Sequence, residues 1–252
     1  MKLGLESKAM VVTGAASGIG AAIARMLVAE GVGGLLLTDR NGPDLQRMAA
    51  ELSAAAVEAD LSDPAGPAMI ARAAKERFGR IDGLVNAAGL TTRGSFESGT
   101  PEIWESLFAV NARAGFFLMQ EAIADMLGRK GEGVVVNILS MNAYCGSPEL
   151  AVYAGTKGAM ATLTKNAARA HMADRIRVNG INLGWVATEA EVALQTERNG
   201  AGWLEAQAAG MPLGRLVTAE ECARLAVFLL SDASVPMSGA LIDLEQKVAG
   251  AI

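Results

Sequence analysis

The chain has 252 residues, 51% of them hydrophobic but only 4% aromatic, and a formal net charge of −5. That length fits one large domain, and a core of small aliphatics suits helices packed closely on a parallel sheet. The acidic balance excludes nonspecific nucleic-acid binding, and no apolar run reaches the roughly 18 residues of a membrane helix.

Strands and helices alternate along the chain. KAMVVT at 8–13 reads as a first strand, 19–30 as an amphipathic helix, and GLLLTD at 34–39 as a second strand. A helix is predicted over 43–54 with Pro43 near its start, a short strand over 55–59, and a helix over 64–78 capped by Asp63. A fourth strand covers 83–87, and one long helix covers 101–127 with Thr100 as N-cap and Pro101 first. The fifth strand is 133–140, the second long helix 150–172 and the sixth strand 175–183. A helix over 218–230 opens with a capping box, Thr218 and Glu221, and the last strand is 239–244. The region 184–216 is an insertion with a short helix, placed as a substrate loop or lid. Repeated βα units of this kind imply right-handed crossovers and one doubly wound parallel sheet covered on both faces. Ligands then bind at the carboxyl ends of the strands, where Thr13, Asp39, Asn86, Ser140 and Gly184 fall.

The string Thr13-Gly14-Ala15-Ala16-Ser17-Gly18-Ile19-Gly20 joins the first strand to the first helix. Its glycines allow a tight turn and let backbone N–H groups approach a pyrophosphate at a helix N-terminus. Asp39 ends the second strand roughly 20 residues further on, where a carboxylate accepts from ribose hydroxyls and repels a 2′-phosphate. NAD is therefore favoured over NADP, with Arg40 next door either offsetting that repulsion or simply solvated. Tyr153 and Lys157 are four apart, so on a helix they share a face, and an ammonium beside a phenol favours the phenolate. Ser140 ends the preceding strand. Two cysteines without metal spacing, Cys145 and Cys222, and an N-terminus without a signal-peptide core point to a cytoplasmic protein. The one histidine, His171, reads as structural, and no metal site is expected.

Taken in order, TGAASGIG at 13–20, Asp39, Asp60, NAAG at 86–89, Asn111, Ser140, YAGTK at 153–157 and IRVNGI at 176–181 resemble the short-chain dehydrogenase/reductase family over nearly the whole chain. The resemblance implies a seven-stranded Rossmann domain spanning 1–252 and an NAD-dependent oxidoreductase that interconverts a secondary alcohol and a ketone. It assigns the pyrophosphate and adenosine to Gly14, Ser17, Gly18, Ile19 and Gly20, the ribose to Asp39, and the adenine to Asp60 and Leu61. Asp60 alternatively caps a turn. Asn86, Ala87 and Gly89 would floor the cleft, and Val186 and Thr188 would reach the nicotinamide amide and phosphate. Tyr153 would be the acid/base, Lys157 would lower its pKa and bind ribose, Ser140 would hold the substrate oxygen, and Asn111 would support a water linking Lys157 to solvent.

Departures from the family pattern bear on the substrate. Leu183 stands where relatives carry proline. Asn142, Tyr144 and Glu149 either line the substrate pocket or pack the loop. Glu245 and Gln246 either reach the cleft or form a subunit-contact tail. The polar segment 189–210 favours a sugar- or polyol-like substrate. Alternatives are a 3-oxoacyl-thioester reductase, for which Arg129-Lys130 would be a docking pair, and a non-catalytic NAD-binding protein. Small residues on the two long helices (Ala109, Ala112 and Ala114; Ala154, Gly158, Ala161 and Ala168) suit close packing, and the resemblance implies that these helices pair between subunits, in a homotetramer.

Overall fold

The computed structural model describes residues 3–247. Seven parallel strands, β1 (Ala9–Thr13), β2 (Gly34–Asp39), β3 (Ala55–Glu58), β4 (Gly83–Asn86), β5 (Gly133–Ile138), β6 (Ile176–Leu183) and β7 (Leu241–Leu244), form one sheet in the order β3-β2-β1-β4-β5-β6-β7. The order reverses between β1 and β4, which opens a crevice at the carboxyl ends of those two strands. Leu, Val and Ile fill the central strands because both faces are covered. One face packs α1 (Gly18–Ala29), α2 (Gly42–Leu52) and α9 (Ala219–Leu230) through Ile23, Leu27, Leu45 and Ala226. The other packs α3 (Gly66–Phe78), α5 (Gly115–Gly128) and α6 (Ala151–His171) through Ile70, Leu118, Met126 and Met160. Among the described residues no helix is long and apolar enough to cross a membrane.

The predicted order of strands and main helices is the observed one, with local differences. The long helix expected over 101–127 is α4 (Pro101–Phe108), a π-helical segment Ala109–Ala114, and α5. A π segment follows no i, i+4 pattern, so the apolar periodicity runs through it unmarked. Asp63 does not cap α3, which starts three residues later; its carboxylate accepts from the Ala65 N–H at 2.9 Å and closes a turn instead. The insertion holds two helices rather than one, α7 (Glu189–Asn199) and α8 (Trp203–Ala209). Ala109, Ala112, Ala114 and Ala168, expected on subunit-pairing faces, are buried inside the chain. The outward face of α4 and α5 presents aromatic rings, Trp104, Phe116 and Phe117.

Two polar devices lock the frame. The register pairs Asn86 with Asn137, and Asn86 Nδ2 donates to Asn137 Oδ1 at 2.8 Å while Asn137 Nδ2 donates to Thr164 Oγ1 at 2.8 Å. This buried chain ties β4, β5 and α6 together. Thr218 and Glu221 form the expected capping box on α9, with Glu221 also paired to Arg215 at 2.7 Å. Thr218→Ala removes one of the two reciprocal bonds. It should lower unfolding stability by about 1 kcal/mol, seen as a lower urea midpoint at unchanged slope.

Candidate functional site

A cavity of about 520 Å³ lies over the carboxyl ends of the strands. Its walls include Gly14, Ser17, Gly18, Ile19 and Gly20 at one end, and Ser140, Tyr153 and Lys157 at the other. Asp39, Asp60, Leu61, Ala87, Gly89, Val186 and Thr188 also face it. The sequence segments that supply these residues are far apart, and the sheet brings them to one crevice.

The glycine turn is shaped by close approach. Gly14 has φ +65°, and a Cβ there would stand 2.8 Å from Ala88 Cα; one on Gly20 would stand 2.2 Å from the Gly14 carbonyl oxygen. No side chain fits at either place, so the backbone itself lines the cavity. Thr13 Oγ1 accepts from the N–H groups of Ala87 and Ala88, both at 3.0 Å, which splices the turn to the segment after β4. Ser17 precedes α1 without a side-chain capping bond, leaving the first-turn N–H groups of that helix for an anion. The Asp39 carboxylate accepts from Ala16 N–H at 3.1 Å and from Asn41 N–H at 3.0 Å, which fixes it at the cavity edge. Asp60 accepts from Ser62 N–H at 2.8 Å, and this bond holds its carboxyl below the ordinary value. Asp60 closes the turn and also faces the cavity. A backbone cradle, a helix N-terminus and a carboxylate one strand away fit a dinucleotide.

At the other end, α6 carries Tyr153 and Lys157, both buried. Lys157 Nζ donates to the Ile138 carbonyl at 2.8 Å, so the lysine is anchored to the end of β5. Its Nζ lies 5.7 Å from the centre of the Tyr153 ring. Ser140 Oγ accepts from the N–H and Nδ2 of Asn142, each at 3.2 Å. Burial pushes the Tyr153 phenol above its ordinary value; the nearby Ser140 hydroxyl works the other way, and the Glu191 carboxylate adds to the rise. Burial pulls Lys157 down to about 8. Burial thus favours the neutral form of both groups in the protein alone.

Asn111 sits in the π segment and does not face the main cavity. Its Oδ1 accepts from Leu90 N–H at 2.8 Å, and its Nδ2 donates to Leu90 O at 2.9 Å and Thr156 Oγ1 at 3.1 Å. Asn111 Oδ1 and Lys157 Nζ converge on Gly89, 3.4 and 3.7 Å from where a Cβ would stand. Behind them is a recess of about 10 Å³ lined by Asn111, Lys157, Asn86 and Asn137. A polar space of that size holds a single water. Asn86, expected on the cleft floor, faces this recess rather than the main cavity.

Of the three residues offered for the substrate, only Asn142 reaches the cavity. Tyr144 is exposed, its hydroxyl donating to Asp243 at 2.9 Å, and Glu149 pairs with Arg93 at 3.2 Å outside the wall. A short loop offers two faces, and its sequence does not say which turns inward. Glu245 packs over Gly184, while Gln246 accepts from Leu213 N–H and donates to the Arg215 carbonyl, so these two brace the insertion rather than line the cleft. Arg129 of the basic pair is held by Asp125 at 2.9 Å and Asp82 at 3.4 Å, at the amino ends of the strands. Cys145 and Cys222 are both free, and among the described residues no group of three His, Cys, Asp or Glu side chains could hold a metal ion.

Arg93, Trp185, Glu191 and Leu194 also face the cavity; Glu191 belongs to the polar substrate segment read from sequence, and the other three were not singled out. Glu191 Oε1 accepts from Trp185 Nε1 at 2.9 Å and Gln195 Nε2 at 2.8 Å, and Trp185 meets Trp203 edge to face at 4.8 Å. The i, i+4 spacing of Glu191 and Gln195 was visible; the direction of their face was not.

A family model described as enoyl-(acyl carrier protein) reductase matches residues 14–245. A protein of Xanthobacter autotrophicus named inactive 2-(S)-hydroxypropyl-CoM dehydrogenase 2 is 34% identical, over 83% of this chain and 92% of its own. Gluconate 5-dehydrogenase of Gluconobacter oxydans is 32% identical over 94% of this chain and 93% of its own. The crystal structure of L-sorbose reductase from Gluconobacter frateurii, complexed with NADPH and L-sorbose, superposes with a TM-score of 0.92 at 27% identity, covering 100% of both chains.

Proposed function

The chain belongs to the short-chain dehydrogenase/reductase family, oxidoreductases that act on CH–OH groups, and we propose that it interconverts a secondary alcohol and a ketone with NAD on a sugar- or polyol-like substrate. The observation that carries this reading is the one cavity that joins the glycine turn and Asp39 to Ser140, Tyr153 and Lys157. The nicotinamide cofactor, when bound, supplies the hydride acceptor. The N–H groups of the 14–20 turn hold its pyrophosphate, Asp39 its adenosine ribose, Asp60 and Leu61 its adenine, and Val186 and Thr188 its amide end. Ser140 Oγ holds the carbinol oxygen. Tyr153 Oη takes the carbinol proton as the C–H bond breaks and its electron pair leaves as hydride, giving the ketone. Lys157 Nζ stabilises the phenolate, and the recess between Lys157 and Asn111 leads the proton away through one water. The insertion 184–216 covers the substrate end through Trp185, Glu191 and Leu194.

The sugar-like substrate is supported by the polar wall of Asn142, Arg93 and Glu191, and by the sugar-acid and ketose names of the relatives. The exposed Trp104, Phe116 and Phe117 support self-association along α4 and α5 and a homotetramer. The test is a screen of sugars, polyols and hydroxy acids with each cofactor. Turnover of a 3-oxoacyl thioester with NADPH alone would favour that other reading, and micromolar NADH binding without any turnover would favour a non-catalytic role.

NAD is preferred because the fixed Asp39 carboxylate repels a 2′-phosphate. Asp39→Ala should raise the kcat/KM ratio of NADP to NAD by at least about 10-fold, since one charge repulsion and the ribose bonds go together. A wild-type enzyme that favours NADP contradicts the assignment.

A further inference from the structure

Arg93 is a cation on the cavity wall that the reaction above does not use. Lys157 is buried and bonded to the Ile138 carbonyl, and Arg40 stands beside Asp39 at the nucleotide end. Arg93 is thus the guanidinium open to a substrate. Its place is fixed by backbone: Gly94 N–H donates to Glu149 O at 3.0 Å and Val152 N–H donates to Gly94 O at 3.1 Å. These bonds lash the 90–94 segment to the start of the helix that carries Tyr153, one residue beyond Val152.

The side chain is only 24% exposed, and its one charged partner among the described residues is Glu149. Nε is buried and 3.2 Å from Glu149 Oε1, out of line for a bond. Glu149 lies outside the cavity wall, so it steadies the group from behind. Its terminal N–H groups bond no protein atom among the described residues, and the planar fork they form matches a carboxylate with two parallel N–H···O bonds. Glu191, on the insertion, has Oε1 occupied by Trp185 and Gln195 and offers an acceptor to hydroxyl groups.

We infer that Arg93 binds a carboxylate of the substrate, so that the enzyme selects a hydroxylated acid of the aldonate type over the corresponding neutral polyol. This rests on the oxidoreductase reading of the same cavity.

The experiment titrates D-gluconate, D-galactonate and 3-hydroxybutyrate against their carboxylate-to-alcohol counterparts D-glucitol, galactitol and butane-1,3-diol. Tryptophan fluorescence is the readout, because Trp185 faces the cavity, and each titration is run with and without NADH. At least one acid should bind about 30-fold more tightly than its alcohol partner. Arg93→Gln should bring the pair within about threefold, and Arg93→Lys, which keeps the charge but not the fork, should fall between. Equal binding of every acid and its alcohol in the wild type, or an acid preference that survives in Arg93→Gln, would overturn the inference. NADH quenching measured in the same samples separates that result from a failure of the cofactor assignment.

Discussion

Tyr153→Phe should lower kcat/KM for alcohol oxidation by about 10³-fold, the range expected for loss of one positioned acid/base group. NADH affinity stays within about twofold, because the variant removes a single oxygen at the substrate end. The ring is buried, and phenylalanine keeps its packing, so the fold is retained. The pH profile adds a second check. Burial raises the phenol pKa in the protein alone, so the resting residue is the protonated acid, ready for ketone reduction. Oxidation needs the phenolate and gains rate as pH rises, whereas reduction falls. A wild-type rate in Tyr153→Phe would remove Tyr153 from the mechanism.

Lys157→Met should lower kcat/KM by about 10²-fold or more and at the same time raise thermal stability. The lysine pKa falls from 10.5 in the unfolded chain to about 8 on burial. Between those values the unfolded state binds more protons than the folded one, so stability rises with pH across that window. Below about pH 8 the fold carries a desolvated ammonium at a cost of about 3 kcal/mol relative to alkaline pH. Methionine fills the space without the charge. It leaves the Ile138 carbonyl without its 2.8 Å donor, which offsets part of the gain. The melting temperature at pH 7 should rise by a few degrees, and its increase between pH 8 and 10.5 should flatten. A lower melting temperature with unchanged pH dependence would show that Lys157 stabilises the fold, contrary to this account.

The two variants probe different parts of one device. Tyr153 loses chemistry with stability unchanged, while Lys157 exchanges stability for chemistry. Such a cost is tolerated where a charge is needed at a fixed point beside a reacting group.

Much of the site was legible from residue types and spacing. The glycine turn was, because a Cβ at Gly14 or Gly20 has nowhere to go, and that constraint is written directly as glycine. Asp39 was, because a carboxylate at the end of the second strand lies beside whatever the turn holds. Tyr153 and Lys157 were, because a four-residue spacing on a helix fixes a shared face. Tyr144 and Glu149 were not: they lie on a short irregular loop, and their partners, Asp243 and Arg93, come from distant segments. Asn111 was singled out and lies near Lys157, but the π segment that turns its amide onto Leu90 left no trace in the pattern.

By itself the sequence determined the alternating βα order, the doubly wound sheet, the glycine turn and the grouping of Ser140, Tyr153 and Lys157 at one cavity. Each depends on local periodicity or on steric rules that act within a few residues. Only the tertiary structure decided that Arg93 and Glu191 face the same cavity as Ser140 and Tyr153, that Glu245 and Gln246 brace the insertion, and that burial raises the Tyr153 pKa and lowers that of Lys157. Those outcomes depend on which surfaces meet and how much water they exclude, and both arise from contacts between segments far apart in the chain.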